Sequence, residues 1–229
     1  MNIIISGGTR GIGKEVALYL AQDIRNQILV TGRNEDSLRT LSSGNGNIDT
    51  ITLDLSVFDN QIDAFKEKLN KLYNRVDILI NMAGSLKAID FLDTINSDGR
   101  KMMETNFFGP ASLIRAVSPL MTKGSHIVNI SSMGGFQGSE KFRGLSYYSA
   151  SKAALACLSE CLAAEFASKG ISVNCLALGA VQTEMLAEAF PGYKAPIDAK
   201  KMAEFISDFA LNGNKFMNGK IIPVALSTP

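Results

Sequence analysis

The sequence predicts an α/β protein built on a parallel sheet with helices on both faces. Three observations carry this. Strand-like and helix-like segments alternate from end to end, the strand-like runs are nearly unbroken apolar stretches, and the first of them runs straight into a glycine turn and a helix. Strands that are apolar on both sides, separated by amphipathic helices, belong to a sheet buried on both faces.

The first strand is Asn2–Ser6, followed by Gly7-Gly8-Thr9-Arg10-Gly11-Ile12-Gly13 and a helix-like stretch from Lys14 to Gln22. Glycines let the backbone turn tightly and approach phosphates, and the free N–H groups of a helix start face an anion. Gly7, Thr9, Arg10, Gly11, Ile12 and Gly13 are therefore candidate cofactor contacts. Their spacing, Gly7-x-x-x-Gly11-x-Gly13, differs from the G-x-G-x-x-G dinucleotide fingerprint. Further strands are expected at Gln27–Thr31, Asp49–Asp54, Val76–Asn81, His126–Ser131, Ile171–Ala177 and Lys220–Val224. Helical spacing links Ile62, Phe65, Leu69 and Leu72, then Leu155, Leu158, Leu162 and Phe166, then Met202, Phe205, Ile206 and Phe209. No repeat or linker interrupts the pattern, so residues 1–229 read as one domain. The loosest stretches, Gly134 to Ser146 and Thr183 to Asp198, both follow strand C-termini, where such sheets bind ligands.

Bulk composition excludes several classes. The 229 residues carry 23 basic and 22 acidic side chains, which leaves no electrostatic case for nucleic acid or an anionic membrane. No apolar stretch approaches the length of a membrane span. Met1 is followed at once by the first strand, with no room for a signal peptide, so a cytoplasmic location is expected. Three cysteines do not suggest a disulfide framework. Cys157 and Cys161 share one helix face and read as small buried residues at a helix interface. The sole histidine, His126, opens an apolar strand with no second histidine or acidic cluster beside it, so no metal site is expected.

The second strand ends in Thr31-Gly32-Arg33-Asn34, where doubly wound folds meet the adenosine ribose. An acid here would bond a 2′-hydroxyl and repel a 2′-phosphate. The sequence offers Arg33 instead, with Arg10 in the glycine turn, and guanidinium groups suit a phosphate. NADP(H) is therefore expected over NAD(H).

The second half holds the reactive groups. The strand Ile127-Val128-Asn129-Ile130-Ser131-Ser132 closes on a serine pair, and Ser131 and Ser132 should point to opposite faces. Tyr148-Ser149-Ala150-Ser151-Lys152 opens a long helix, and residues four apart share one helical face. A phenol working near neutrality needs its pKa lowered by roughly three units, about 4 kcal/mol, which an ammonium favours.

Taken together, Ser6-Gly7-Gly8-Thr9-Arg10-Gly11-Ile12-Gly13, Asn81-Met82-Ala83-Gly84, Asn106, Ser132 and Tyr148-x-x-x-Lys152 occur in an order that resembles the short-chain dehydrogenase/reductase family over nearly the whole chain. Within it the chain looks most like NADP-dependent 3-oxoacyl-ACP reductases and carbonyl reductases. The resemblance implies a doubly wound, three-layer α/β/α Rossmann fold with seven parallel strands in the order 3-2-1-4-5-6-7. It implies Tyr148 as general acid/base, Ser132 as the hydrogen-bond donor to the reacting oxygen, Lys152 as the group that lowers the tyrosine pKa and holds the nicotinamide ribose, and Asn106 as the holder of a relay water. It places Asp54 and Leu55 at the adenine, Asn81, Ala83 and Gly84 against the adenosine side, and Gly179, Val181 and Thr183 at the nicotinamide amide.

Two functions follow from this. One is an NADPH-dependent reductase of a small ketone, aldehyde or 3-oxoacyl compound. The other is an NADP(H)-binding regulator or scaffold without chemistry. A nucleotide-sugar epimerase would need more chain after Lys220. Thr183 to Pro196, with Met185, Leu186, Phe190 and Tyr193, reads either as an apolar cover over substrate or as partial core packing. The alanine-rich helix from Tyr148 to Ser168 leads to an expected homodimer or homotetramer.

Overall fold

Ile3, Ile4 and Ile5 are all fully buried. Successive side chains of a strand point to opposite faces, so a strand buried at every position has protein on both sides. This is the first strand of the sheet. The structure, a computed structural model, describes residues 1–226. Its strands are β1 (Asn2–Ser6), β2 (Gln27–Gly32), β3 (Ile48–Thr52), β4 (Val76–Asn81), β5 (Met121–Ser132), β6 (Ser172–Leu178), β7 (Val181–Gln182), β8 (Ile197–Asp198) and β9 (Ile221–Val224). Seven of them form one parallel sheet in the order β3-β2-β1-β4-β5-β6-β9, and β7 pairs with β8 in a separate ribbon.

The alternation of β1 divides the core in two. Ile3 and Ile5 pack with Val16 and Ala17 of α1 (Gly11–Ala21), Leu38 and Leu41 of α2 (Glu35–Ser43) and, at the far end of the chain, Met202 and Ile206 of the last helix. Ile4 packs on the opposite face with Phe65 and Leu69 of α3 (Ile62–Leu72). Beyond α4 (Asn96–Met103), that face is completed by Leu113 and Ile114 of α5 (Gly109–Val117) and Ala163 of α6 (Ser146–Glu165). A short helix, α7 (Glu184–Ala189), precedes α8 (Ala199–Asn212), which carries Met202 and Ile206. The result is the expected three-layer, doubly wound seven-stranded fold. Strand order reverses between β1 and β4, and such folds bind ligands at the strand C-termini beside that point.

A buried polar chain fixes α6 to the middle of the sheet. Ser6 Oγ lies 3.5 Å from Asn81 Oδ1, Asn81 Nδ2 donates to Asn129 Oδ1 at 2.8 Å, Asn129 Nδ2 donates to Ser159 Oγ at 2.8 Å, and Ser159 Oγ donates to the Leu155 carbonyl at 2.7 Å. Each buried polar group in it thereby has a partner.

Three expectations are corrected. The strand holding His126 begins at Met121, so His126 lies inside it rather than opening it; the exposed residues Thr122, Lys123 and Gly124 hide its start from an apolar pattern. Cys157 and Cys161 are exposed, whereas Cys175 is buried. Leu155, Ser159 and Ala163 face the sheet, and residues two positions further along turn about 200° away from it. Finally, Thr183 to Asp198 is partly regular: Thr183 Oγ1 accepts from Leu186 N and caps α7, and β7 and β8 bracket the segment. Among the described residues, no helix is long and apolar enough to cross a membrane.

Candidate active site

A cavity of about 600 Å³ opens at the C-terminal edge of the sheet. The glycine turn, the ends of β2, β4, β5 and β6, the start of α6 and the segment around α7 all contribute to its wall. Of the candidates, Gly7, Thr9, Arg10, Gly11, Ile12, Gly13, Arg33, Asp54, Leu55, Ala83, Gly84, Ser132, Tyr148, Lys152, Gly179, Val181 and Thr183 line it. Asn34, Asn81 and Asn106 do not. The Asn34 side chain accepts from Ser37 N and caps α2. Asn81 is spent on the buried chain that holds α6.

The glycine turn fits a bound anion. Gly7 (φ 76°) and Gly11 (φ 54°) occupy the left-handed region, which side chains avoid. A Cβ on Gly13 would sit 2.4 Å from the Gly7 carbonyl oxygen, so the turn closes only on glycine there. The residue before α1, Arg10, gives no side-chain cap, and the first turn holds no acid. The first N–H groups of the helix thus lack intrahelical partners and point toward where an anion would sit.

Asn106 is placed by a π-turn, Glu104–Phe108, between α4 and α5. Pro110 has no N–H to give the Asn106 carbonyl four residues back, which favours the widened turn. Asn106 Oδ1 accepts from Ser85 N at 2.7 Å, and its Nδ2 donates to the Ser85 carbonyl and to Ser151 Oγ, both at 2.9 Å. It ties the strand-end after β4 to the second turn of α6. A Cβ on Gly84 would stand 3.4 Å from Lys152 Nζ and 3.6 Å from Asn106 Oδ1, so this glycine lets the two groups share one corner.

The serine pair divides as the strand pleat requires. Ser131 is 3% exposed and donates to the Lys152 carbonyl at 2.8 Å, whereas Ser132 Oγ accepts from Gly134 N at 3.1 Å. Burial raises the Tyr148 pKa above its usual value, and the Ser132 hydroxyl pulls it back. The expected pull from Lys152 is not seen. The Lys152 ammonium donates to the Ile130 carbonyl at 2.8 Å, and burial draws its pKa down to about 8, with Cys175 opposing. Burial in turn raises Cys175 to about 11.

Several lining residues had no sequence signal. Thr105 lies beside Asn106 with its Oγ1 buried and, among the described residues, without a partner. Glu184 faces the glycine turn, since a Cβ on Gly11 would lie 3.5 Å from its Oε2. Outside the lining, Glu188 bonds Arg10 Nη1 at 3.0 Å. Leu86, Met133 and Leu145 add apolar wall beyond Tyr148.

Comparison with known proteins agrees with this fold. The model of the short chain dehydrogenase family matches residues 1–194. Dehydrogenase/reductase SDR family member 7B of Danio rerio is 37% identical over 203 residues, covering 83% of this chain and 64% of that relative, so the chain spans less than two thirds of its length. Dehydrogenase/reductase SDR family member 6 of Aquarana catesbeiana is 33% identical over 204 residues, covering 87% of this chain and 78% of the relative. Among solved structures, the RhlG/NADP active-site complex of Pseudomonas aeruginosa superposes with a TM-score of 0.84 at 25% identity, covering 98% of this chain and 94% of that one. With a family model spanning most of the chain and two relatives above 30% identity, the chain belongs to the short-chain dehydrogenase/reductase family.

Proposed function

We propose that this protein is an NADP(H)-dependent oxidoreductase acting on a carbonyl compound or its secondary alcohol, with Tyr148 as general acid/base. One observation carries the reading: Ser132, Tyr148 and Lys152 line the same cavity as the glycine turn. When bound, the cofactor supplies hydride at C4 of its nicotinamide. The residues that would hold it are Gly7, Thr9, Gly11, Ile12 and Gly13 at the pyrophosphate, Arg10 and Arg33 at the 2′-phosphate of the adenosine ribose, and Gly179, Val181 and Thr183 at the nicotinamide end.

The protein's own groups then handle the oxygen of the substrate. Ser132 donates a hydrogen bond to it and stabilises the charge that develops there, an oxyanion role. Tyr148 delivers the proton. Because burial raises its pKa, Tyr148 is a phenol at neutral pH, the form that reduction needs. Lys152, part-way through its own titration near pH 8, sits one helical turn along and returns a proton from solvent through the corner it shares with Asn106.

The cofactor preference rests on Arg33, which lines the cavity where an acid would mark NAD(H). Fluorescence titration of the parent and of Arg33→Asp with NADPH and NADH tests it. The parent should bind NADPH more tightly, and the variant should lose that preference; equal affinities in the parent would overturn it. RhlG was solved with NADP, which supports the same reading. Self-association is proposed through α6, whose outer face presents Ala150, Ala153, Cys157, Cys161 and Ala164 to solvent. Sedimentation would show a dimer or tetramer.

A further inference from the structure

We propose that the substrate is an uncharged carbonyl compound with an aromatic or bulky apolar group next to its carbonyl, held between Phe142 and the α7 segment. This rests on the oxidoreductase reading above and narrows it. The charged side chains of the cavity are few, and each is accounted for. Arg10 and Arg33 stand at the glycine turn and the end of β2, Asp54 caps the turn after β3, Glu184 faces Gly11, and Lys152 belongs to the reacting centre. Beyond Tyr148 the wall is Leu86, Met133, Phe142, Met185, Phe190 and Tyr193. A carboxylate or phosphate carried into that wall would lose its water and meet no cation, a costly exchange.

Three of the cations around the mouth have partners of their own. Lys141 Nζ donates to the Phe136 carbonyl at 2.6 Å and to Ser139 Oγ at 2.8 Å. Arg143 Nε donates to both Asp90 oxygens, at 2.8 and 3.0 Å, and Lys87 pairs with Asp98 at 2.6 Å. Lys194 is exposed and does not line the cavity. The clamped neighbours Lys141 and Arg143 hold Phe142 between them, and its ring, 47% exposed, forms one side of the mouth. Tyr193, 51% exposed, forms another. These are large apolar surfaces that a bound apolar group would cover, and pockets recognise ligands in this way. The same arrangement argues against a substrate delivered on an anionic carrier, since among the described residues Lys194 is a lone exposed cation beside the mouth and not a cationic patch.

Methyl 4-formylbenzoate and 4-formylbenzoate share ring and carbonyl and differ in one charge. Reduction of each by NADPH is measured, and calorimetric binding of each is measured with NADP⁺, where no reduction can occur. The neutral ester should be favoured by at least about tenfold in binding and in kcat/KM, and Phe142→Ala and Tyr193→Ala should each weaken its binding several-fold without lowering the melting temperature. Equal or tighter binding of the carboxylate would overturn the proposal, as would no binding of either compound. Preferential binding of the ester without turnover would leave the apolar site in place and count against the oxidoreductase reading instead.

Discussion

Arg10 Nη1 stands 3.0 Å from Glu188 Oε1, which ties the glycine turn to α7 across 178 residues of chain. The guanidinium is one of two proposed to meet the cofactor 2′-phosphate, so Glu188 competes with that phosphate for the same donor. Both side chains are about half exposed or more (49% and 66%), and exposed pairs are worth at most about 1 kcal/mol. Glu188→Gln should therefore tighten NADPH by about two- to five-fold and leave NADH unchanged. Fluorescence titration reads both; a change shared equally by the two cofactors would show that Glu188 acts on the α7 segment and not on the phosphate.

Thr105 Oγ1 is buried, lines the cavity and has no partner among the described residues. An unmet hydroxyl costs stability, and a bond to the cofactor would recover it. Thr105→Val keeps the shape and removes the group. It should weaken cofactor binding by about three- to ten-fold while leaving the free protein's melting temperature equal or higher. Unchanged affinity would mean that the hydroxyl does not meet the cofactor.

The glycine turn is read most directly through backbone clashes. An alanine at position 13 would set a Cβ 2.4 Å from the Gly7 carbonyl, whereas one at position 46 meets nothing within 4 Å. Gly13→Ala should cost roughly 1–3 kcal/mol and abolish cofactor binding; Gly46→Ala should stay within about 0.5 kcal/mol of the parent. Thermal melts and a cofactor titration separate the two.

His126 gives a pH signature. Its Nδ1 lies 3.0 Å from the Ala210 carbonyl, an acceptor only, so Nδ1 carries the proton and Nε2 accepts from Asn174 Nδ2 at 3.0 Å. A second proton on Nε2 would face a donor, and Asn174 cannot turn over without breaking its bonds to the Met217 carbonyl and Lys220 N. Burial draws the His126 pKa down to about 4. Below the usual 6.5 the unfolded chain takes up a proton that the folded chain refuses. Stability therefore falls as pH drops from 6.5 toward 4, by roughly 3 kcal/mol from this group. It is the only histidine, so its ring signals can be followed singly by NMR. They should stay neutral at pH 5; a midpoint near 6.5 would contradict the burial argument.

Much of the fold was legible because the pleat and the helical turn leave different apolar periods. β1, β4 and the helix after Tyr148 carry that signal locally, and the glycine turn is marked by the glycines that follow β1 at once. Contacts made across the chain leave no such mark. Nothing near Glu188 points to Arg10, and nothing in the Asn81 motif separates a cofactor contact from the buried chain through Asn129 to Ser159 that it joins. Cys157 and Cys161 look like core residues by type, yet their helical phase turns them outward. The direction of the Lys152 ammonium toward the Ile130 carbonyl depends on how α6 docks on β5, which the four-residue spacing from Tyr148 does not determine.

The central claim is that the Tyr148 phenol supplies the proton in a cavity that also holds the nicotinamide. Single-turnover reduction of methyl 4-formylbenzoate by NADPH in the parent and in Tyr148→Phe tests it, with NADPH affinity measured on the same samples. The variant should bind NADPH within about two-fold of the parent and reduce the aldehyde about 10² to 10⁴ times more slowly. Reduction at the parent's rate by Tyr148→Phe would contradict the account.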